Sequence, residues 1–232
     1  MININNVDLA WRAGKTPFSR RFNDVYYSNL DGLKESNYVF LKNNLLPELW
    51  LEKLEFIIAE TGFGTGLNFF ATWKLWRETT APGARLYYFS VEKYPLSLSQ
   101  ITMCISEWPE LLPFLKEFRD SYSITTKECH SVILDGGEVI LKILVGDVVN
   151  VLSKSNFKAN VWFLDGFAPA RNPDMWSAEV FNEVARLSKP GTRLATFSAA
   201  SSVRKGLSQV GFSIKKKPGF GRKREMLSGY LN

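Results

Sequence analysis

The sequence predicts an α/β fold in which a mostly parallel sheet is covered by helices on both faces. Three observations carry that prediction. From residue 56 onward, short apolar runs alternate with stretches of helical period. The first run, Phe56-Ile57-Ile58-Ala59-Glu60, enters Thr61-Gly62-Phe63-Gly64-Thr65-Gly66 and then Leu67-Asn68-Phe69-Phe70, which spells strand, tight turn, helix. Acidic residues close three of the predicted strands, at Glu60, Glu92 and Asp165, with Asp147 as a candidate fourth. In a parallel sheet these acids share one rim, the edge where open α/β sheets bind ligands. The arrangement is Rossmann-like.

The glycine turn indicates which ligand. Its Gly-x-Gly-x-Gly spacing lacks the Gly-x-Gly-x-x-Gly of dinucleotide sites and the Lys-Ser/Thr of phosphate loops. Glycine lets the backbone reach φ > 0 and removes the Cβ between the chain and a ligand at the helix N-terminus. A carboxylate at Glu60 would repel a pyrophosphate there but suits a ligand carrying an ammonium or sulfonium group. S-adenosylmethionine has both cations and no phosphate. A glycine turn that merely joins strand to helix is the plain alternative.

At 232 residues the chain is long enough for one well-buried domain and short for two. The expectation is a single domain over 1–232, with 1–50 an N-terminal cap and 56–232 the core. No run approaches the ~18 apolar residues of a membrane span, and Met1-Ile2-Asn3-Ile4-Asn5-Asn6 lacks the basic and apolar regions of a signal peptide. A cytoplasmic location without membrane contact is expected. The two cysteines, Cys104 and Cys129, and the single histidine, His130, point away from a disulfide framework, a metal site and a His-dependent triad. Net charge is +6, and Arg204 to Arg224 holds eight basic residues and no acid. This reads as a phosphate-backbone footprint or as a solvated basic face.

Taken in order, residues 7–50 interleave Trp11, Phe18, Phe22, Tyr26, Tyr27, Tyr38 and Phe40 with Arg12, Lys15, Arg20 and Arg21. Such a cap either packs on the core or contacts RNA. Leu45 to Trp50 reads as a short helical entry to the first strand. Leu67 to Glu78 is a helix with Phe70, Trp73 and Trp76 as a core stripe. Arg85 to Val91 is the second strand, and Glu92 at its end is placed to accept from ribose hydroxyls, unless it is a surface glutamate. Pro95 opens a helix with Leu98, Ile101, Ile105 and Trp108 inward, continued from Glu110 to Phe118. Ser131 to Val145 forms two β-rich runs around Asp135-Gly136-Gly137, an inserted hairpin. Asp147 then either caps a helix over Val148–Lys154 or accepts from an adenine amino group. Asn160 to Leu164 is a buried strand leading into the Asp165–Asp174 loop. Met175 to Leu187 reads as one helix with Trp176, Val180, Val184 and Leu187 inward, Thr192 to Phe197 as a strand, and Ser202 to Val210 as the last helix. Phe212-Ser213-Ile214 and Glu225 to Leu231 close the chain as an antiparallel pair.

Methyl transfer from a sulfonium is an in-line displacement that needs a nucleophile lone pair aimed at the methyl, roughly 3 Å away. An amine nucleophile must be neutral. Asp165, with carbonyls of its Gly166-Phe167-Ala168-Pro169 loop, is the candidate to accept N–H bonds from the amine, orient its lone pair and take or relay a proton. Phe167 is the candidate to cover the reacting atoms and exclude water. A helix cap or loop-stabilising carboxylate is the alternative for Asp165.

With these residues laid out, the chain resembles the methyltransferase domain of the MnmC family, bifunctional enzymes of 5-methylaminomethyl-2-thiouridine synthesis at the tRNA wobble position. The resemblance rests on Glu60 to Phe69, on Trp162 to Trp176, and on Gly219-Phe220-Gly221-Arg222-Lys223-Arg224-Glu225-Met226-Leu227. Weaker agreement appears at Phe22 to Ser28, Asp135-Gly136-Gly137 and Val203 to Leu207. It implies a class I S-adenosylmethionine-dependent methyltransferase fold. The cofactor would lie on Glu60, Gly62, Gly64, Gly66, Asn68, Glu92, Asp147 and Asp165, with Asp165 also beside the methyl acceptor. It implies that the aminomethyl nitrogen of a wobble uridine in the tRNA anticodon loop receives the methyl. The family's FAD-dependent oxidoreductase has no counterpart in these residues, so such a domain or a separate enzyme would supply the aminomethyl group. Arg204, Lys205, Arg222, Lys223 and Arg224 are candidate phosphate contacts, with Arg171 nearer the wobble base. A nicotinamide-dependent oxidoreductase and a non-catalytic RNA-binding module are the competing readings.

Overall fold

The computed structural model describes residues 9–12, 16–122 and 129–232; Lys15 lies outside them. An eight-stranded sheet is built from β4 (Glu55–Thr61), β5 (Arg85–Glu92), β6 (Cys129–Leu134), β7 (Val139–Val145), β8 (Val161–Leu164), β9 (Arg193–Thr196), β10 (Phe212–Pro218) and β11 (Glu225–Leu231). Its order is β10-β11-β9-β8-β4-β5-β7-β6. Strands β7, β5, β4, β8 and β9 run parallel, while β11 is antiparallel to β9 and to β10. From β4 the chain fills the sheet first toward β5 and β7, then on the other side toward β8 and β9. The order therefore reverses between β4 and β8, and that crevice is where such sheets place a ligand.

Three further strands, β1 (Leu9–Arg12), β2 (Thr16–Ser19) and β3 (Asp24–Val25), form a small antiparallel sheet. It is followed by α1 (Gly32–Ser36), which runs on as a π-helical turn over Asn37–Leu41. The remaining helices are α2 (Leu67–Thr79), α3 (Leu98–Ile105), α4 (Leu112–Ser121), α5 (Val148–Ser153), α6 (Ala178–Arg186) and α7 (Ser201–Gln209). Helix α3 starts with a reciprocal box in which the Ser97 side chain accepts from Gln100 N and the Gln100 side chain accepts from Ser97 N, worth about 1 kcal/mol. Two apolar cores flank the sheet, as a parallel sheet covered on both faces requires. Phe70, Trp73 and Trp76 are all buried in the first. No helix among the described residues is long and apolar enough to cross a membrane.

Two local expectations are corrected. Leu45–Trp50 is a run of turns, not a helix: Leu45 sits at φ 58°, which ends the helical segment before it. The segment nevertheless buries Trp50 fully, edge-on to Phe56 and Trp76. The expected helix from Met175 to Leu187 is broken at Ser177, which ends a 3-10 turn over Pro173–Trp176 and caps α6 by accepting from Val180 N. The expected hairpin around Asp135-Gly136-Gly137 forms: β6 pairs antiparallel with β7, which is also the parallel neighbour of β5, so β6 lies at the sheet edge.

Candidate active site

A cavity of about 660 Å³ lies over the carboxyl ends of β4, β5, β7 and β8, roofed by the N-terminal sheet and α1. Its floor begins at the glycine turn. Gly62 has φ 86°, and a Cβ there would stand 3.2 Å from Gly166 Cα, so β4 and β8 approach this closely only without a side chain. Gly64, at φ 53°, faces the Tyr26 ring, which a Cβ would meet at 3.2 Å. Four of the turn's N–H groups are engaged within the protein. Gly62 N and Phe63 N donate to Val91 O, Gly66 N donates to Phe63 O, and Gly64 N donates to the Glu92 carboxylate at 2.9 Å. A pyrophosphate nest needs such N–H groups free, so the turn does not favour the nicotinamide reading. It fits a ligand that brings donors and positive charge.

Glu92 closes β5 and faces the cavity. One oxygen accepts from Gly64 N and the other from Tyr94 N at 2.7 Å, which fixes the carboxylate plane and leaves each oxygen a lone pair for a ligand hydroxyl. Burial raises its pKa, while those N–H groups oppose the rise. Asp147 stands at the N-cap of α5 but makes no side-chain cap; its carboxylate pairs with Lys93 at 3.1 Å on the cavity rim.

Asp165 follows β8 and also lines the cavity. The Thr61 hydroxyl holds its backbone on both sides, donating to Asp165 O at 2.7 Å and accepting from Asp165 N at 3.1 Å. Its Oδ1 accepts from Gly166 N at 2.8 Å and its Oδ2 from Asn68 Nδ2 at 2.7 Å. Burial pushes the carboxyl up to about 7, against those two donors; Glu35 adds to the rise and Lys223 opposes it. A carboxyl poised there is matched to proton exchange near neutral pH.

Glu60 is placed differently from the expectation. It is 1% exposed and outside the cavity lining, accepting from Asn68 Nδ2 at 2.9 Å and from Ser90 Oγ at 2.6 Å. Burial raises its pKa to about 8. Gly66 likewise lies beneath the wall, whereas Asn68 reaches it. Phe167 stacks on Phe22 with ring centroids 4.6 Å apart and meets Tyr26 edge-on at 5.1 Å. Its loop is held by Trp176 Nε1 donating to Phe167 O and by Ala168 N donating to Asp24 Oδ2, both at 2.9 Å. The aromatic N-terminal segment thus contributes Phe22 and Tyr26 to the roof.

The basic residues divide. Arg222 and Lys223 line the cavity mouth, whereas Arg171, Arg204, Lys205 and Arg224 are exposed outside it. Lys223 is no free cation, since its Nζ lies 2.8 Å from Glu35 Oε1 and 4.4 Å from the Phe197 ring centroid. Glu35 and Ser36 were missed from sequence. They lie in a short polar helix with no motif, and only folding brings Glu35 to a lysine 188 positions away. Among the described residues, no group of three or more His, Cys, Asp or Glu is placed to hold a metal.

Residues 109–232 match a family model described as S-adenosyl-L-methionine-dependent methyltransferase. Over 242 aligned residues the chain is 43% identical to the tRNA 5-methylaminomethyl-2-thiouridine biosynthesis bifunctional protein MnmC of Vibrio campbellii, a match spanning 100% of this chain and 36% of that protein. It is 46% identical over 230 residues to the protein of the same name from Marinobacter nauticus, spanning 97% of this chain and 36% of the relative. The chain therefore spans about a third of the length of the curated relatives it matches. The crystal structure of MNMC2 from Aquifex aeolicus superposes with a TM-score of 0.75 at 26% identity, covering 97% of this chain and 70% of that one.

Proposed function

The chain belongs to the S-adenosyl-L-methionine-dependent methyltransferases, and from that premise we propose that it methylates the aminomethyl nitrogen of 5-aminomethyl-(2-thio)uridine at the tRNA wobble position. The names of its relatives support the substrate, and the TM-score of 0.75 against MNMC2 supports a common scaffold. The observation that carries the reading is Asp165: a carboxyl at about 7, fixed at two points, on the floor of a cavity roofed by Phe167 and Phe22. Bound S-adenosylmethionine supplies an electrophilic methyl carbon on a sulfonium and departs as the neutral thioether.

The rest belongs to the chain's own residues. Glu92 and Asp147 hold the cofactor's hydroxyl and amino donors, and the Gly62–Gly64 turn gives its backbone room. An aminomethyl group arrives largely as an ammonium and must lose a proton before its nitrogen lone pair is free. Asp165 Oδ2 accepts that proton and relays it to solvent, and the carboxylate so restored accepts a remaining N–H of the neutral amine, which aims the lone pair. Phe167 and Phe22 keep water from the reacting nitrogen. Arg222, with Arg204, Lys205 and Arg224 farther out, contacts phosphates of the anticodon loop, and Arg171 lies toward the base; a looped-out base is how single-stranded RNA is read. An oxidoreductase, fused or separate, removes the carboxymethyl group beforehand, in keeping with the bifunctional naming of the longer relatives.

The test is incubation with labelled S-adenosylmethionine and tRNA bearing 5-aminomethyluridine, followed by nucleoside mass analysis. One added methyl on that nucleoside is expected. A label found on another nucleoside, or on none, would discard the substrate.

A further inference from the structure

Asn68 stands at the second position of α2, where an asparagine side chain has no helix N–H to cap, and it is 9% exposed. Three elements meet on its amide. The two hydrogens of Nδ2 go one to Glu60 Oε1 on β4 at 2.9 Å and one to Asp165 Oδ2 after β8 at 2.7 Å. Its Oδ1 accepts from Ser36 Oγ of α1 at 2.6 Å. Rotating the amide by half a turn would aim its carbonyl oxygen at Asp165, so the orientation that donates to both acids is the one that suits an ionised Asp165. Gly166 N fixes one oxygen of Asp165; a single point leaves the carboxyl plane free to swing, and Asn68 supplies the second.

Resting on the methyltransferase reading above, we propose that Asn68 is the positioning residue of the transfer site. Its amide, turned by Ser36 and anchored on the buried Glu60, sets the direction in which Asp165 presents Oδ2 to the amine. Glu60 then serves the site from behind, through Asn68, and not as a direct ligand of the cofactor. The wiring also couples charge. Asp165 is faced by Glu60 and Tyr88 from β4 and β5, by Glu35 from α1 and by Lys223 from the turn between β10 and β11. Asn68 is a donor that favours the ionised form of Asp165.

The experiment uses the whole chain and the variants Asn68→Ala and Ser36→Ala, the second keeping every buried carbon of the Asn68 side chain in place. Three quantities are read: S-adenosylmethionine affinity by calorimetry, the Asp165 carboxyl titration by carbon NMR without substrate, and kcat against pH on aminomethyl-tRNA. Asn68→Ala is expected to raise the Asp165 titration, lower kcat by about 10- to 100-fold and leave cofactor affinity within about threefold, because misplacing a reacting group costs turnover more than binding. Ser36→Ala should move titration and kcat the same way by less. An unmoved titration in both variants, or cofactor affinity falling in step with kcat, would overturn the assignment. If the parent protein leaves aminomethyl-tRNA unmethylated, the substrate reading falls, while titration and cofactor affinity still decide the role of Asn68.

Discussion

Asp165 sets the pH at which transfer runs. Because burial holds its carboxyl at about 7, the ionised form that accepts a proton fills as pH rises through that value, and kcat should climb over the same interval. Asp165→Asn keeps the shape but not the basicity, so kcat should fall by about 100-fold or more while calorimetric cofactor affinity stays within a few-fold. Glu60 makes a prediction about stability. Its carboxyl, near 8 in the fold, releases its proton at a far lower pH when unfolded. Its contribution is therefore complete below the unfolded value and is lost as pH rises through about 8. Glu60→Gln removes that loss, so its melting temperature should exceed the parent's at about pH 9, with the gap closing toward about pH 4. A gap that widened in acid would mean that Glu60 is ionised in the fold.

At the scale of elements, the approach of β4 to β8 is what makes a floor. Gly62 and Gly166 stand back to back at the two strand ends, and the Thr61 hydroxyl ties them together through the Asp165 backbone. Gly62→Ala meets both an unfavourable φ and the Gly166 Cα, so it should destabilise by about 1–3 kcal/mol in chemical denaturation. Cofactor affinity should weaken with it. A variant as stable as the parent would show that the strand ends yield without cost. The roof behaves differently, being held by a Phe22–Phe167 stack and single hydrogen bonds from Trp176 and Ala168.

Across the whole molecule, residues from the two ends of the chain meet at the cavity mouth. The turn between β10 and β11 reaches the N-terminal segment through Lys223–Glu35 and through Tyr38, whose hydroxyl donates to Pro218 O at 2.9 Å. Charge in this turn therefore has two duties. Arg222 and Arg224 are exposed and suit phosphate contact, Arg224 also lying near Glu225, whereas Lys223 opposes the rise of the Asp165 pKa. Arg222→Ala with Arg224→Ala should weaken tRNA binding and reduce the slope of log affinity against log salt by about 1.4, the loss of two single-strand phosphate contacts. Lys223→Met should change that slope less and instead carry the kcat profile to higher pH. An unchanged slope in the double variant would remove the turn from the RNA footprint.

The amino-acid sequence by itself determined the alternation of strand and helix, the glycine turn and the acids at the ends of β4, β5, β7 and β8, because apolar period and glycine spacing are local properties. It left Ser177 hidden inside an apparently continuous helical pattern, and it left Leu45–Trp50 looking helical, since a single left-handed residue changes the path without changing the composition. Only the tertiary structure decided which acids face the cavity. Glu60 and Asp165 end adjacent strands, yet Ser90 and Asn68 draw one inward while the Gly166 N–H holds the other at the cavity floor. Partnership between groups distant in sequence, such as Ser36 with Asn68 or Glu35 with Lys223, depends on how helices and turns stack above a sheet. No local pattern records that distance.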